Sequence, residues 1–258
     1  MKYAMNEPGS FSALRLTTHE GMEKQATPGC LPATMYMGSW HVPRLDIVRK
    51  IVRVLQEDLF LPQQSDPFLS PAQARHNALT SWFVVALALL AGPRPFEVRR
   101  IRSNHLDLNG LWLSLRGKPH VSRPAFRRIP LLPELVSPVK TLLGDCPNQK
   151  GRHKLGLFND KGEFIGLTTR ELNGILVKAG HVAGVELAPD FYSLRHRFRT
   201  DMLACAMPEH FLTYLMGHES RGIESRSIYL ERSLDDLVPL YCHSAKQLAR
   251  RYGIYLVQ

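Results

Sequence analysis

The chain has 258 residues, enough for one large domain or one domain with an appendage. A hydrophobic share of 44% supports a real core, and a charged share of 22% excludes wholesale disorder. A formal net charge of +10 points to an anionic partner, most simply nucleic acid, although a merely basic soluble protein would show the same balance.

Residues 1–40 mix Gly, Pro, Ser, Thr and Met without periodicity and read as a poorly ordered leader. From His41 to Phe60 the pattern changes: Leu45, Val48, Val52, Leu55 and Leu59 recur at helical spacing, with charged residues on the other faces. This amphipathic helix lies in a short N-terminal segment, 41–69, and the remaining 70–258 form the main domain with a helical tail. After a breaker, LPQQSDPFLSP, a buried helix is expected from Pro71 to Ala91, with Pro71 in its first turn and Gly92-Pro93 as the stop. Phe96–Ser103 reads as a short helix, and Leu111–Arg116 and Phe126–Leu131 as strands joined by a basic turn. A small hairpin is expected around Lys161-Gly162. Helices follow over 168–183, 191–206 with Asp190 as cap, 208–216 ended by Gly217, 221–230 and 234–251. The fold class is mainly α with a small antiparallel β-sheet.

The cysteines, Cys30, Cys146, Cys205 and Cys242, are far apart, so neither a zinc site nor a disulfide scaffold is indicated and a reducing, cytoplasmic setting is the simpler reading. No HExxH and no GxxxxGK[ST] loop occurs, so no metal, no cofactor and no nucleotide hydrolysis are expected. The N-terminus lacks the apolar run of a signal peptide. The most apolar stretch, Trp82–Ala91, is too short to span a bilayer, so no membrane partner is expected.

Charge is concentrated between Arg94 and Arg128. Eight arginines and Lys118 stand there against Glu97 and Asp107, a net +7 in 35 residues. A solvated face usually intersperses signs, so this stretch reads as phosphate-facing, with Arg99, Arg100, Arg102, Arg116, Arg123, Arg127 and Arg128 as DNA-binding candidates.

Five polar residues could perform phosphoryl transfer if they converge: Arg94 in AGPRPFEV, Lys118 in RGKPH, Arg195 in YSLRHRF, His218 in LMGHES and Tyr229 in RSIYLE. Arginines supply fixed charge and forked donors for phosphate oxygens, and a tyrosine supplies an oxygen nucleophile. A lysine can protonate a leaving oxygen, and a histidine can donate to phosphate or shuttle a proton. Each has an ordinary alternative. Arg94 could form a surface ion pair with Glu97, and Lys118 could sit on any basic turn, with Arg116 and Arg123 as competitors. Arg195 could pair with Asp201 or Glu209. His218 could cap a helix, and Tyr229 could be a packing residue.

Taken together, these segments resemble the catalytic domain of the tyrosine recombinase, or phage integrase, family over roughly residues 70–245. AGPRPFEV is similar to the family's first arginine box, SLRHRFRTDML to its LRH helix, LMGHES to its LLGH turn, and IYLE to the segment bearing the nucleophile. FRRIPLLPEL resembles the strand leaving the lysine hairpin. The resemblance implies site-specific DNA recombination through a 3′-phosphotyrosine. Tyr229 would be the nucleophile, Arg94 and Arg195 the phosphate ligands, Lys118 the acid and His218 a phosphate donor. It also implies double-stranded DNA as partner, a homo-tetramer on DNA, accessory DNA-bending proteins and a nucleoid-associated location. Tyr192 stands where the family usually has histidine or lysine, and a phenol with a pKa of about 10 is a poor general base at neutral pH. The spacing from His218 to Tyr229 is two residues longer than usual, and the N-terminal helical part is short. A catalytically impaired DNA-binding remnant and a type IB topoisomerase-like strand transferase remain as alternatives.

Overall fold

A computed structural model describes residues 34–37, 40–60, 68–117, 126–144, 154–217 and 234–254, all within one compact unit. Strands β1 (Thr34–Met37) and β2 (Trp40–Pro43) pair antiparallel, with Thr34 opposite Pro43. Part of the expected irregular leader is therefore a hairpin, its four-residue strands too short for alternation to stand out. Helix α1 (Leu45–Phe60) starts four residues later than its pattern suggested because 41–43 belong to β2.

Helix α2 (Pro71–Ala91) is the centre of the fold. Ser70 caps it: its hydroxyl accepts from the Gln73 backbone N–H, and the Gln73 side chain accepts from the Ser70 N–H at 2.9 Å. From Trp82 to Ala91 every residue is buried, so this half of the helix lacks a polar face. The reason is that α1, α4 (Val136–Gly144), β6 (Gly156–Phe158), α6 (Phe191–Ala204) and α8 (Leu234–Tyr252) pack around it. The helix is long and apolar enough to cross a membrane, but 72% of its apolar window is buried within the protein. Asn77 replaces a strand neighbour for β6, exchanging two hydrogen bonds of 2.7 Å with the Phe158 backbone.

The expected helix over 96–103 shrinks to α3 (Pro95–Val98). The chain is extended at Arg102, which bridges to Lys154, before a 3-10 turn at Ser103–His105. Strands β3 (Leu106–Asp107), β4 (Trp112–Arg116) and β5 (Phe126–Pro130) form an antiparallel sheet in that order. Helix α4, with Pro138 near its start, carried no clear sequence signal. Strands β6 and β7 (Phe164–Gly166) make a third small sheet.

Helix α5 (Thr169–Val182) opens on a Thr168–Glu171 capping box, and α6 on Asp190, whose carboxylate accepts from the Ser193 N–H at 2.6 Å. Helix α7 (Glu209–Met216) follows. The tail helix α8 packs on α1, α2 and α6 of its own chain, burying Leu237, Tyr241, Ala245, Leu248, Ala249 and Tyr252. The Tyr241 hydroxyl donates to the Leu90 carbonyl at 3.0 Å, and the Tyr252 hydroxyl donates to Asp201. The apolar stripe of α1, with Val48, Ile51, Val52 and Leu55, joins the same core. The helix expected over 221–230 lies outside the described residues.

Candidate active site

Two glycine-capped helix ends frame the site. Helix α2 stops at Gly92 (φ 60°) and α7 at Gly217 (φ 59°), both in the left-handed region that glycine reaches without strain. A helix C-terminus presents carbonyls with partial negative charge, and guanidinium donors complement them. Arg195, on α6, donates to the Gly92 carbonyl at 2.5 Å and to the Met216 carbonyl. Arg94, just before α3, donates to the Gly217 carbonyl at 3.2 Å. Arg195 thus ties the two helix ends together, and Arg94, two residues beyond Gly92, reaches the second of them, although 101 positions separate the two arginines in sequence.

Glu97 organises this pair. Its carboxylate accepts the Arg94 backbone N–H at 2.7 Å and lies 3.7 Å from the Arg94 guanidinium. It also receives a two-pronged ion pair from Arg127 on β5, with one contact at 2.8 Å. Burial pushes the Glu97 carboxyl up, but the hydrogen bonds and charge of Arg127, the Arg94 N–H and the Arg195 charge outweigh it and hold the group below its ordinary 4.5. Arg195 is 1% exposed, and burial followed by the charges of Arg94 and Arg127 pushes its guanidinium down to about 10, still charged at neutral pH. Three guanidiniums against one carboxylate leave a cluster of net charge +2, suited to a phosphate.

The acid partners considered for Arg195 are engaged elsewhere. Asp201 holds Arg197 through two bonds of 2.7 and 2.6 Å, and Glu209 lies 3.8 Å from Arg199. Tyr192 lies one turn before Arg195 on α6, exposed, with its ring edge-on to His196 at 4.8 Å.

The basic stretch divides into two groups. Arg99, Arg100, Arg102, His105, Arg116 and Lys154 line a concavity of about 570 Å³. Burial and the charges of Arg102 and Arg116 hold the His105 imidazole below its usual range. Arg100 lies over the Phe96 ring, and Arg128 lies over Trp112 and 3.7 Å from Asp107. Arg127 departs from the expectation of a phosphate-facing side chain: it is turned inward and 8% exposed. Its inward role was hidden in sequence because the partner, Glu97, lies 30 positions away. Lys118, Arg123, His218 and Tyr229 lie outside the described residues. Among the described residues no group of three His, Cys, Asp or Glu side chains is placed to hold a metal.

Solved structures similar to this chain include a phage integrase and a recombinase. The integrase from mycobacterium phage Brujita matches with a TM-score of 0.50 and 17% identity, over 90% of this chain and 66% of that one. The XerA recombinase matches with a TM-score of 0.51 and 13% identity, over 90% of this chain and 67% of that one. At such identities the likeness is one of fold, and this chain spans about two thirds of each of them. No curated protein sequence matches the chain. The phage integrase family matches residues 59–233, which holds the Arg94 box, the Arg195 helix, the His218 turn and Tyr229. With more than half of the chain matched, and the two box arginines joined across the same pair of helix ends, the chain belongs to the phage integrase family.

Proposed function

We propose that this chain is a site-specific DNA recombinase that cuts and rejoins double-stranded DNA through a 3′-phosphotyrosine. The observation that carries the reading is the convergence of Arg94 and Arg195 on the two glycine-capped turns, the second of which leads directly into His218. The Tyr229 hydroxyl attacks the phosphorus and the bond to the 5′-oxygen breaks. Lys118 gives its proton to that oxygen, and His218 donates to the phosphate and can shuttle the phenolic proton. Arg94 and Arg195 stabilise the charge that grows on the non-bridging oxygens, an effect strengthened at a buried site. Tyr192 takes the remaining family position as a hydrogen-bonding group. The covalent intermediate keeps the bond energy, so rejoining needs no nucleotide.

The basic concavity at Arg99, Arg100, Arg102 and Arg116 takes neighbouring backbone phosphates. Strand exchange calls for two duplexes and four protomers, with DNA-bending proteins as accessory partners, in the nucleoid. The test is covalent trapping on nicked duplexes tiled from DNA flanking the chain's own gene. A denaturant-resistant adduct is expected with wild type and lost in Tyr229→Phe. Arg94→Ala and Arg195→Ala should each lower adduct formation by about 100-fold or more while native-gel binding persists. Unchanged cleavage by either arginine variant would sink the site assignment, and binding by wild type without any adduct would favour an inactive DNA-binding remnant.

A further inference from the structure

Arg127 belongs to the basic stretch by sequence but to the active-site scaffold by structure. Its Nη atoms take both oxygens of Glu97, and its Nε donates to the Leu215 carbonyl at 3.0 Å. Gly217 lies directly against it, so that a Cβ there would stand 2.6 Å from Nη1. One guanidinium therefore joins β5 to α3, which follows Arg94, and to the last turn of α7.

The electrostatics give this contact a purpose beyond packing. Glu97 is the carboxylate that Arg94 and Arg127 both approach, and its charge also reaches Arg195. A buried carboxylate beside two phosphate-binding guanidiniums competes with the phosphate for them. Arg127 occupies both of its oxygens and leaves the Arg94 guanidinium at 3.7 Å, in a looser contact. We infer that Arg127 is a positioning residue that neutralises Glu97 and so leaves Arg94 and Arg195 to the phosphate. The inference rests on the phosphoryl-transfer reading above. Without Arg127, Arg94 closes on Glu97 and is withdrawn from the substrate. Removing the Glu97 charge as well releases Arg94 again, whereas a purely structural Arg127 would make the double variant worse than either single one.

The experiment compares full-length wild type, Arg127→Gln, Arg127→Lys, Glu97→Gln and the Glu97→Gln/Arg127→Gln double variant. Two quantities are read: the rate of covalent adduct formation on a nicked duplex, and the rise in thermal midpoint caused by inorganic phosphate. Arg127→Gln should slow adduct formation by about 100-fold and abolish the phosphate-induced rise. The double variant should recover at least about tenfold of the rate and regain the rise, with Arg127→Lys in between. No change in Arg127→Gln, or a double variant no better than it, overturns the inference. If Arg127→Gln does not fold, Glu97→Gln is compared with the double variant. Rates within about threefold of each other support the inference, and a further loss of about 100-fold overturns it. Failure of wild type to form any adduct would remove the recombinase reading, and the phosphate-induced rise would still decide the role of Arg127.

Discussion

Gly217→Ala tests the coupling between the α7 cap and the arginine cluster. The added methyl forces alanine into the left-handed region at φ 59°, a cost of about 1 kcal/mol. It also places a Cβ 2.6 Å from Arg127 Nη1 and 2.9 Å from Cζ, so the guanidinium must retreat. A retreat of roughly 0.8 Å is needed for ordinary contact, and a guanidinium displaced that far is expected to lose one of its two bonds to Glu97. Losing such a charged hydrogen bond costs about 1.5–3 kcal/mol, for a sum of about 2.5–4 kcal/mol. For a domain of this size the midpoint should fall by roughly 5–16 °C. Gly184→Ala is the matched control: its φ is 66°, but a Cβ there meets nothing within 4 Å. It should cost only the backbone share of about 1 kcal/mol, or roughly 2–4 °C. Calorimetry of the two variants side by side gives the difference, and equal losses would refute the claim that Gly217 is glycine because Arg127 needs the space.

Three other outcomes are expected. Glu97 has a folded-state pKa below its unfolded value, so its stabilising contribution is present above pH 4.5 and lost as pH falls through the lower folded value; the acid limb of the midpoint–pH profile should be flatter in Glu97→Gln. Tyr241→Phe leaves the Leu90 carbonyl without its donor from α8 and should cost about 1–3 kcal/mol in urea unfolding, and a cost below about 0.5 kcal/mol would show that the bond contributes little. Arg102→Ala and Arg116→Ala should each reduce the slope of log affinity against log salt for duplex DNA by about 0.9, and an unchanged slope would remove that side chain from the phosphate contacts.

Much of this protein was legible in one dimension because the signals were local. Helix α2 runs from Pro71 to Ala91 as its apolar run, first-turn proline and Gly92 stop dictate. The caps at Thr168 and Asp190 and the Gly217 stop depend on residues within one turn of each other. The same locality explains the failures: β1 and β2 are too short to show a period, and α3 ends early because Arg102 pairs with Lys154, 52 positions away. The order of arginine, lysine, arginine, histidine and tyrosine pointed to the family. Which arginines turn inward to hold other parts of the chain and which stay at the surface was decided only by the tertiary structure. Arg127 and Arg128 are adjacent in sequence, yet strand alternation turns one into Glu97 and the other out over Trp112. Burial of a charge depends on the partner that satisfies it, and that partner is brought near by folding rather than by sequence.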